Sequence, residues 1–412
     1  MPHYRRNIIV LCATVFLASV SWNQVVPFLP RFIEDIGGKQ DLYFWIGLVT
    51  AVQSLSGILA MPFWGKLGDI YGRKPMIIRA GICLTGVYFG MSICQAPWHL
   101  AVFRFLNGAL TGFIPGSFAL IATNTPEKLA PRYIATVQVA SSCGLIAGPV
   151  IGDILARCFG FRASMQVSGV AVALCTLAVA LFVREPNKPK IVEKTSLIED
   201  FFIAVRSRVQ MPIMIGVMLV WFYGASISPY VVLYLESLPG KLPPGFTGGV
   251  FALPAVAFVA TAHMWAGIGH RRGFHKTILI GATGTAICTA AAAFIPNIWG
   301  FAAMYLVAGI WLAAISPSTG ALTCTRVDES FRGRAYGIQN SMGASAAFIA
   351  PFLASLAAAL LGMRWVFVMA GAVCLVGMFV LRGMVRDWDT AGAAGVGSPE
   401  SGVLSPESFA DR

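Results

Sequence analysis

The chain has 412 residues, of which 57% are hydrophobic and only 12% charged, about half the charge density of an ordinary soluble chain. That balance excludes a soluble globular protein. The net charge of +12 does not indicate nucleic acid either, because the cations gather in the segments on one side of the apolar runs and no zinc-finger, Walker or other nucleotide signature is present.

Apolar stretches near the length of about 20 residues that crosses a bilayer as helix predict twelve spans, at roughly 8–33, 43–65, 75–95, 98–121, 134–157, 162–183, 212–235, 247–268, 276–293, 298–322, 335–359 and 364–382. The chain is therefore an all-α polytopic membrane protein. The first span follows Arg5-Arg6 in the manner of a secretory signal. It has no convincing processing site and has a counterpart in the second half, so it is read as a retained helix. It carries Trp22, Asn23 and Gln24 and ends near Glu34.

Between the second and third spans stands Gly65-Lys66-Leu67-Gly68-Asp69-Ile70-Tyr71-Gly72-Arg73-Lys74. Its glycines suit a tight reversal. Asp69 lies near a helix end, where Arg73, a neighbouring helix's N-terminal amides or a more distant cation are its candidate partners. The cluster reads as a conformational latch. The fourth span holds Arg104, followed by Asn107 and Gly108. A guanidinium inside a span marks a functional site, with substrate binding or proton coupling as its uses. The fifth span carries Gly144, Gly148, Pro149, Gly152 and Asp153: glycines for close packing, a proline that bends the helix, and an ionisable group near the far end. This is the candidate gating helix.

The connection at 185–210 reads as a linker, amphipathic over Phe201–Val209, that divides an N-terminal bundle (1–184) from a C-terminal bundle (211–386). The Gly-, Ala-, Ser- and Pro-rich tail at 387–412 is expected to be disordered. The halves repeat: Pro27 and Glu34 pair with Pro229 and Glu236 at an offset of 202, Trp64, Gly68 and Gly72 with Trp265, Gly269 and Gly273 at 201, and Pro149 with Pro351 at 202. An even number of spans per half makes this a parallel repeat, and the loop cations place both termini in the cytoplasm.

The acids Glu34, Asp153 and Glu236, with Arg104, are the candidates for coupling. Trp22, Asn23, Gln24, Asn107, Gln138, Trp221, Tyr223, Ser226, Trp311, Gln339 and Asn340 are the candidates for lining a cavity, with helix–helix hydrogen bonding as the competing role of each. An aromatic, sparsely charged lining suits an amphipathic ligand. The nine cysteines lack metal-ligand spacing and read as packing residues. No metal, cofactor or catalytic group is expected.

These motifs resemble those of the major facilitator superfamily, and within it the twelve-helix drug:proton antiporters, over roughly residues 5–385. Gly65–Lys74 is similar to the superfamily's signature loop between helices 2 and 3. Arg104-Phe105-Leu106-Asn107-Gly108 is similar to the helix 4 motif, whose arginine the family implicates in proton coupling. Gly144–Asp153 resembles the helix 5 antiporter motif of exporters, with Asp153 where the family usually has glycine. Val25–Pro30 and Phe161-Arg162 resemble bacterial multidrug exporters. The resemblance implies a monomeric inner-membrane protein that exports a small amphipathic molecule in exchange for protons, in contact with membrane lipids. An importer or facilitator, and a lipid or glycolipid flippase, share the same pattern.

Overall fold

The computed structural model describes residues 3–126, 129–186, 197–239, 242–243, 245–327 and 332–393. Among them the structure is helical, with no strand. Ten described segments are long and apolar enough to cross a membrane. One of the ten is Arg132–Phe182, whose 51 residues are more than twice the roughly 20 a bilayer needs.

In chain order the helices are α1 (His3–Asn23), α2 (Leu29–Asp35), α3 (Leu42–Tyr71), α4 (Arg73–Ser92), α5 (Pro97–Ala109), α6 (Phe113–Asn124) and α7 (Ala130–Phe182). The short α8 (Leu197–Arg206) follows. Then come α9 (Gln210–Ser237), α10 (Phe246–Arg272), α11 (Phe274–Ala292), α12 (Ile298–Leu312), α13 (Ile315–Arg326), α14 (Arg332–Leu361) and α15 (Met363–Ala393).

The differences from the expected spans have local causes. The first expected span is two helices, broken around Pro27, whose ring denies the backbone a donor. The fourth and tenth are also split, at Leu110–Gly112 and Ala313–Ala314. The fifth and sixth join in α7, which inverts at Gly160 (φ 84°, ψ 164°). Four threonines, His275 and Lys276 lower the apolar character of the 19-residue α11, which is not among the ten segments. The last helix continues to Ala393, past the expected start of the disordered tail at 387. Residues 394–412, with the rest of that expectation, lie outside the described residues.

The repeat read in the sequence has physical counterparts. Gly72 (φ 102°) and Gly273 (φ 93°) each separate two helices with a left-handed backbone that side chains oppose. Their amides donate to Gly68 O and Gly269 O at 3.1 and 2.9 Å. The Trp64 indole donates to Ala109 O at 2.7 Å, and the Trp265 indole to Ile310 O at 2.8 Å. Each bond ties a long helix to the start of a break in its neighbour.

Helices on the two sides of α8 pack mainly among themselves. α1 and α4 lie along α7, and α3 lies on α5; α9 packs on α14 and α15, α10 on α12, and α11 on α12 and α15. Two larger seams cross between the sets, α3 against α14 and α7 against α10. The glycines of α7 determine how closely α1 approaches. A Cβ on Gly148 would stand 2.9 Å from Asn23 Cβ and from Val20 O, and one on Gly152 would collide with the Gln24 backbone. Small residues of this kind let helices meet at backbone distance.

Candidate functional site

The contacts that join the two helix sets gather at one end, the end of α2, α9 and α14. Arg31 pairs with Glu236. The rings of Tyr43 and Tyr230 lie 6.2 Å apart, and the Tyr230 hydroxyl bonds Ser355 Oγ at 2.9 Å. Gly47 faces Ser355 and Pro351, so α3 and α14 touch almost backbone to backbone. Across the other seam Arg157 holds Asp153 through Nε (2.9 Å) and Thr247 Oγ1 through Nη2 (3.0 Å). Gly248 sits against the Pro149 carbonyl and Val150.

Behind this closed end lies a cavity of about 410 Å³ with walls from both sets, within the range of about 300–1,000 Å³ typical of small-molecule sites. Trp22, Asn23, Val26, Leu29, Thr50, Gln53 and Arg104 supply one wall, and Val220, Trp221, Gly224, Ala225, Ser228, Pro229 and Ala347 the other. Arg104 is 4% exposed. Its Nη1 donates to Gln53 Oε1 at 2.7 Å, and Gln53 Nε2 donates to Asn107 Oδ1 at 3.0 Å. Nearby, the Tyr88 hydroxyl donates to Ser21 O at 3.1 Å. Arg104 Nε and Thr50 Oγ1 are buried without a hydrogen-bond partner. The described lining contains no Asp or Glu.

The residues expected to line a cavity separate into groups. Trp22, Asn23 and Trp221 do line it, with Trp221 44% exposed. Asn107 stands behind it, bonded to Gln53. Gln24 points the other way: its amide donates to Ser164 O at 2.9 Å and contacts Ser168 Oγ, fastening α1 to α7. Ser226 bonds Phe222 O, and the buried Tyr223 accepts from Thr289. Trp311 packs on Trp265 and covers Gly284. Gln339 bonds Gln210 and Thr323 in a buried amide cluster. Gln138 and Asn340 are exposed on α7 and α14.

Gln53 was absent from the expected set. The signal was there: it is a single amide in the apolar run 43–65, and an amide without a partner there is costly. Of the candidate acids, Glu34 is exposed, Glu236 sits beside Arg31, and Asp153 is 7% exposed with Oδ2 unpartnered.

At the opposite end Gly65 and Gly68 lie in the last turns of α3, and Arg73 and Lys74 open α4. The carboxylate on the α4 N-terminus is Glu185: Oε1 accepts from Arg73 N (2.7 Å) and Oε2 from Lys74 N (2.8 Å). An anion is favoured there by the unpaired amides and the helix dipole. Lys74 Nζ reaches Ala180 O at 2.8 Å, and Asn7 exchanges two hydrogen bonds with the backbone of Arg184. The starts of α1 and α4 and the end of α7 are thus tied together. The side chain of Asp69 lies outside the described residues.

The Major Facilitator Superfamily pattern matches residues 11–241 and 241–405. The chain is 27% identical over 375 residues to the Multidrug resistance protein MdtG of Proteus mirabilis (strain HI4320), covering 90% of this chain and 93% of the relative. Against MdtG of Serratia proteamaculans (strain 568) it is 27% identical over 393 residues, covering 94% of each. Among solved structures, a POT family transporter in complex with 5-aminolevulinic acid superposes with TM-score 0.76 at 14% identity, covering 93% of this chain and 96% of that one. The human organic anion transporter MFSD10 (TETRAN) gives TM-score 0.66 at 18% identity, with coverage of 92% and 100%. The two superpositions show the fold. The chain belongs to the Major Facilitator Superfamily of membrane transporters.

Proposed function

We propose that this secondary transporter of the bacterial inner membrane exports a small amphipathic compound in exchange for protons, by alternating access between two parallel six-helix bundles with both termini in the cytoplasm. The observation that carries the proposal is the two-walled cavity behind an end where Arg157–Thr247 and Arg31–Glu236 join the two helix sets. A site shared by two bundles is exposed to one side at a time when the bundles rock about it. The repeated glycine joints and tryptophan bonds support a parallel repeat of six spans. With cytoplasmic termini, the closed end is external. The multidrug-resistance names of the MdtG relatives support export.

The coupling role is assigned to Asp153 and Arg157. Asp153 holds Arg157 in place, and Arg157 in turn holds Thr247 of the other bundle. For an exchange the proton loads Asp153 from outside while the seam is open. Its release inward restores the Asp153–Arg157 pair that holds Thr247 in the closed seam. In everted vesicles with an imposed pH gradient, the wild-type protein is expected to accumulate substrate. Asp153→Asn is expected to retain substrate exchange while losing about tenfold or more of the gradient-driven accumulation, comparable to the loss of one charged hydrogen bond. Undiminished accumulation by that variant would remove Asp153 from the coupling step.

A further inference from the structure

We infer that the cavity takes an amphipathic solute whose polar head is an oxyanion, a carboxylate or its phosphonate or sulfonate equivalent, held by the first bundle, with an apolar body against the second. The inference deepens the transport reading above and rests on it.

The charge of the chamber is one-sided. Arg104 lines the cavity, is 4% exposed, and has only the neutral amide of Gln53 as a hydrogen-bond partner among the described residues. Its Nε is buried without an acceptor. No carboxylate stands in the described lining, and the described ion pairs of Asp153 and Glu236 are made with Arg157 and Arg31. A guanidinium cannot shed its proton to escape burial, so the chamber keeps a positive charge that no carboxylate of the described lining neutralises. A planar guanidinium whose one described hydrogen bond goes to a neutral amide matches an oxyanion head in both charge and shape. An ammonium head would meet repulsion there and no acceptor of opposite charge.

The second wall differs in kind. At the 201-residue offset that pairs Gly108 with Gly309, the residues Gln53, Arg104 and Asn107 correspond to Pro254, Tyr305 and Ala308. The polar cluster therefore has no copy in the second bundle. What that bundle offers is Val220, Trp221, Gly224, Pro229 and Ala347, relieved by the Ser228 hydroxyl. An aliphatic or aromatic body fits such a surface.

The test uses the full-length protein in nanodiscs and three solutes that share one apolar arm: phenylbutyrate, phenylbutyramide and phenylbutylamine. Quenching of tryptophan fluorescence reports occupancy, because Trp22 and Trp221 line the chamber. Phenylbutyrate is expected to bind about tenfold more tightly than the amide and the amine, the worth of one charge-assisted contact. Gln53→Glu, which sets an acid beside Arg104, is expected to abolish that preference. Tighter binding of the amine to the wild-type protein, or binding of none of the three, overturns the inference, and neither result depends on the variant's folding. Uptake of the same solutes into everted vesicles separates the two readings. Transport of the amine but not the acid sinks the oxyanion class and leaves the transporter. Binding of the acid with no movement of any solute upholds the class and sinks the export reading.

Discussion

Gln24 and Gln53 show what a single residue does and does not reveal from sequence. Each is an amide in an apolar helix, and each must satisfy its donors and acceptor inside the protein. Gln24 does so against Ser164 and Ser168, and Gln53 against Arg104 and Asn107. Period and composition establish that both lie within apolar spans but not which neighbour each faces, so the sequence reading placed Gln24 in the cavity and left Gln53 out. Arg104 was legible because an arginine at that depth has few uses. Glu185 was not, since its meaning depends on α4 beginning beside the end of α7. The difference can be measured. Gln24→Leu should lower stability by about 1–2 kcal/mol, the loss of buried interhelical bonds, with solute affinity unchanged in the nanodisc titration. A shift in affinity at constant stability would return Gln24 to the cavity wall.

At the scale of the helix, the apolar runs located the helical segments, ten of which are long and apolar enough to cross a membrane, because hydrophobic length is a property of the sequence alone. The breaks in the first, fourth and tenth spans were missed. Two of these, at Leu110–Gly112 and Ala313–Ala314, lie beside carbonyls held by a tryptophan from another helix. Long-range partners of that kind leave no local mark. The glycines of α7 were rightly read as a packing face. Their partner turns out to be α1, while Pro149 presents its carbonyl to Gly248 of α10. One helix thus has a fixed side and a side at the closing seam. Gly152→Val should force α1 away from α7 and lower the melting temperature together with transport. Gly86→Ala, where an added methyl meets nothing within 4 Å, should be neutral in both assays. Equal effects of the two substitutions would show that the α1–α7 contact is not set by backbone approach.

Over the whole molecule, the repeat in the sequence anticipated the matched joints, but it could not say which end of the seam is shut. That depends on the relative energy of two packings of one chain. The closed seam offers a direct test. A Cβ on Gly47 would stand 3.0 Å from that of Ser355, below the range of about 3.5–4.5 Å spanned by a disulfide, so a small separation of α3 and α14 accommodates the bond. Gly47→Cys with Ser355→Cys, in a background without the native exposed cysteines, should cross-link under oxidation and stop transport, with recovery on reduction. Continued transport by the cross-linked protein would mean that this end never opens. On the oxyanion proposal, the unequal walls of the chamber bear on the outward, loaded stroke. A guest moored by its head to the first bundle travels with that bundle as a passenger, while the greasy face opposite slides over it with no directional bond to snap. Reorienting the loaded carrier would then break the directional bonds of the closed seam but none between the guest and the second wall, and release would wait for water to reach the guanidinium.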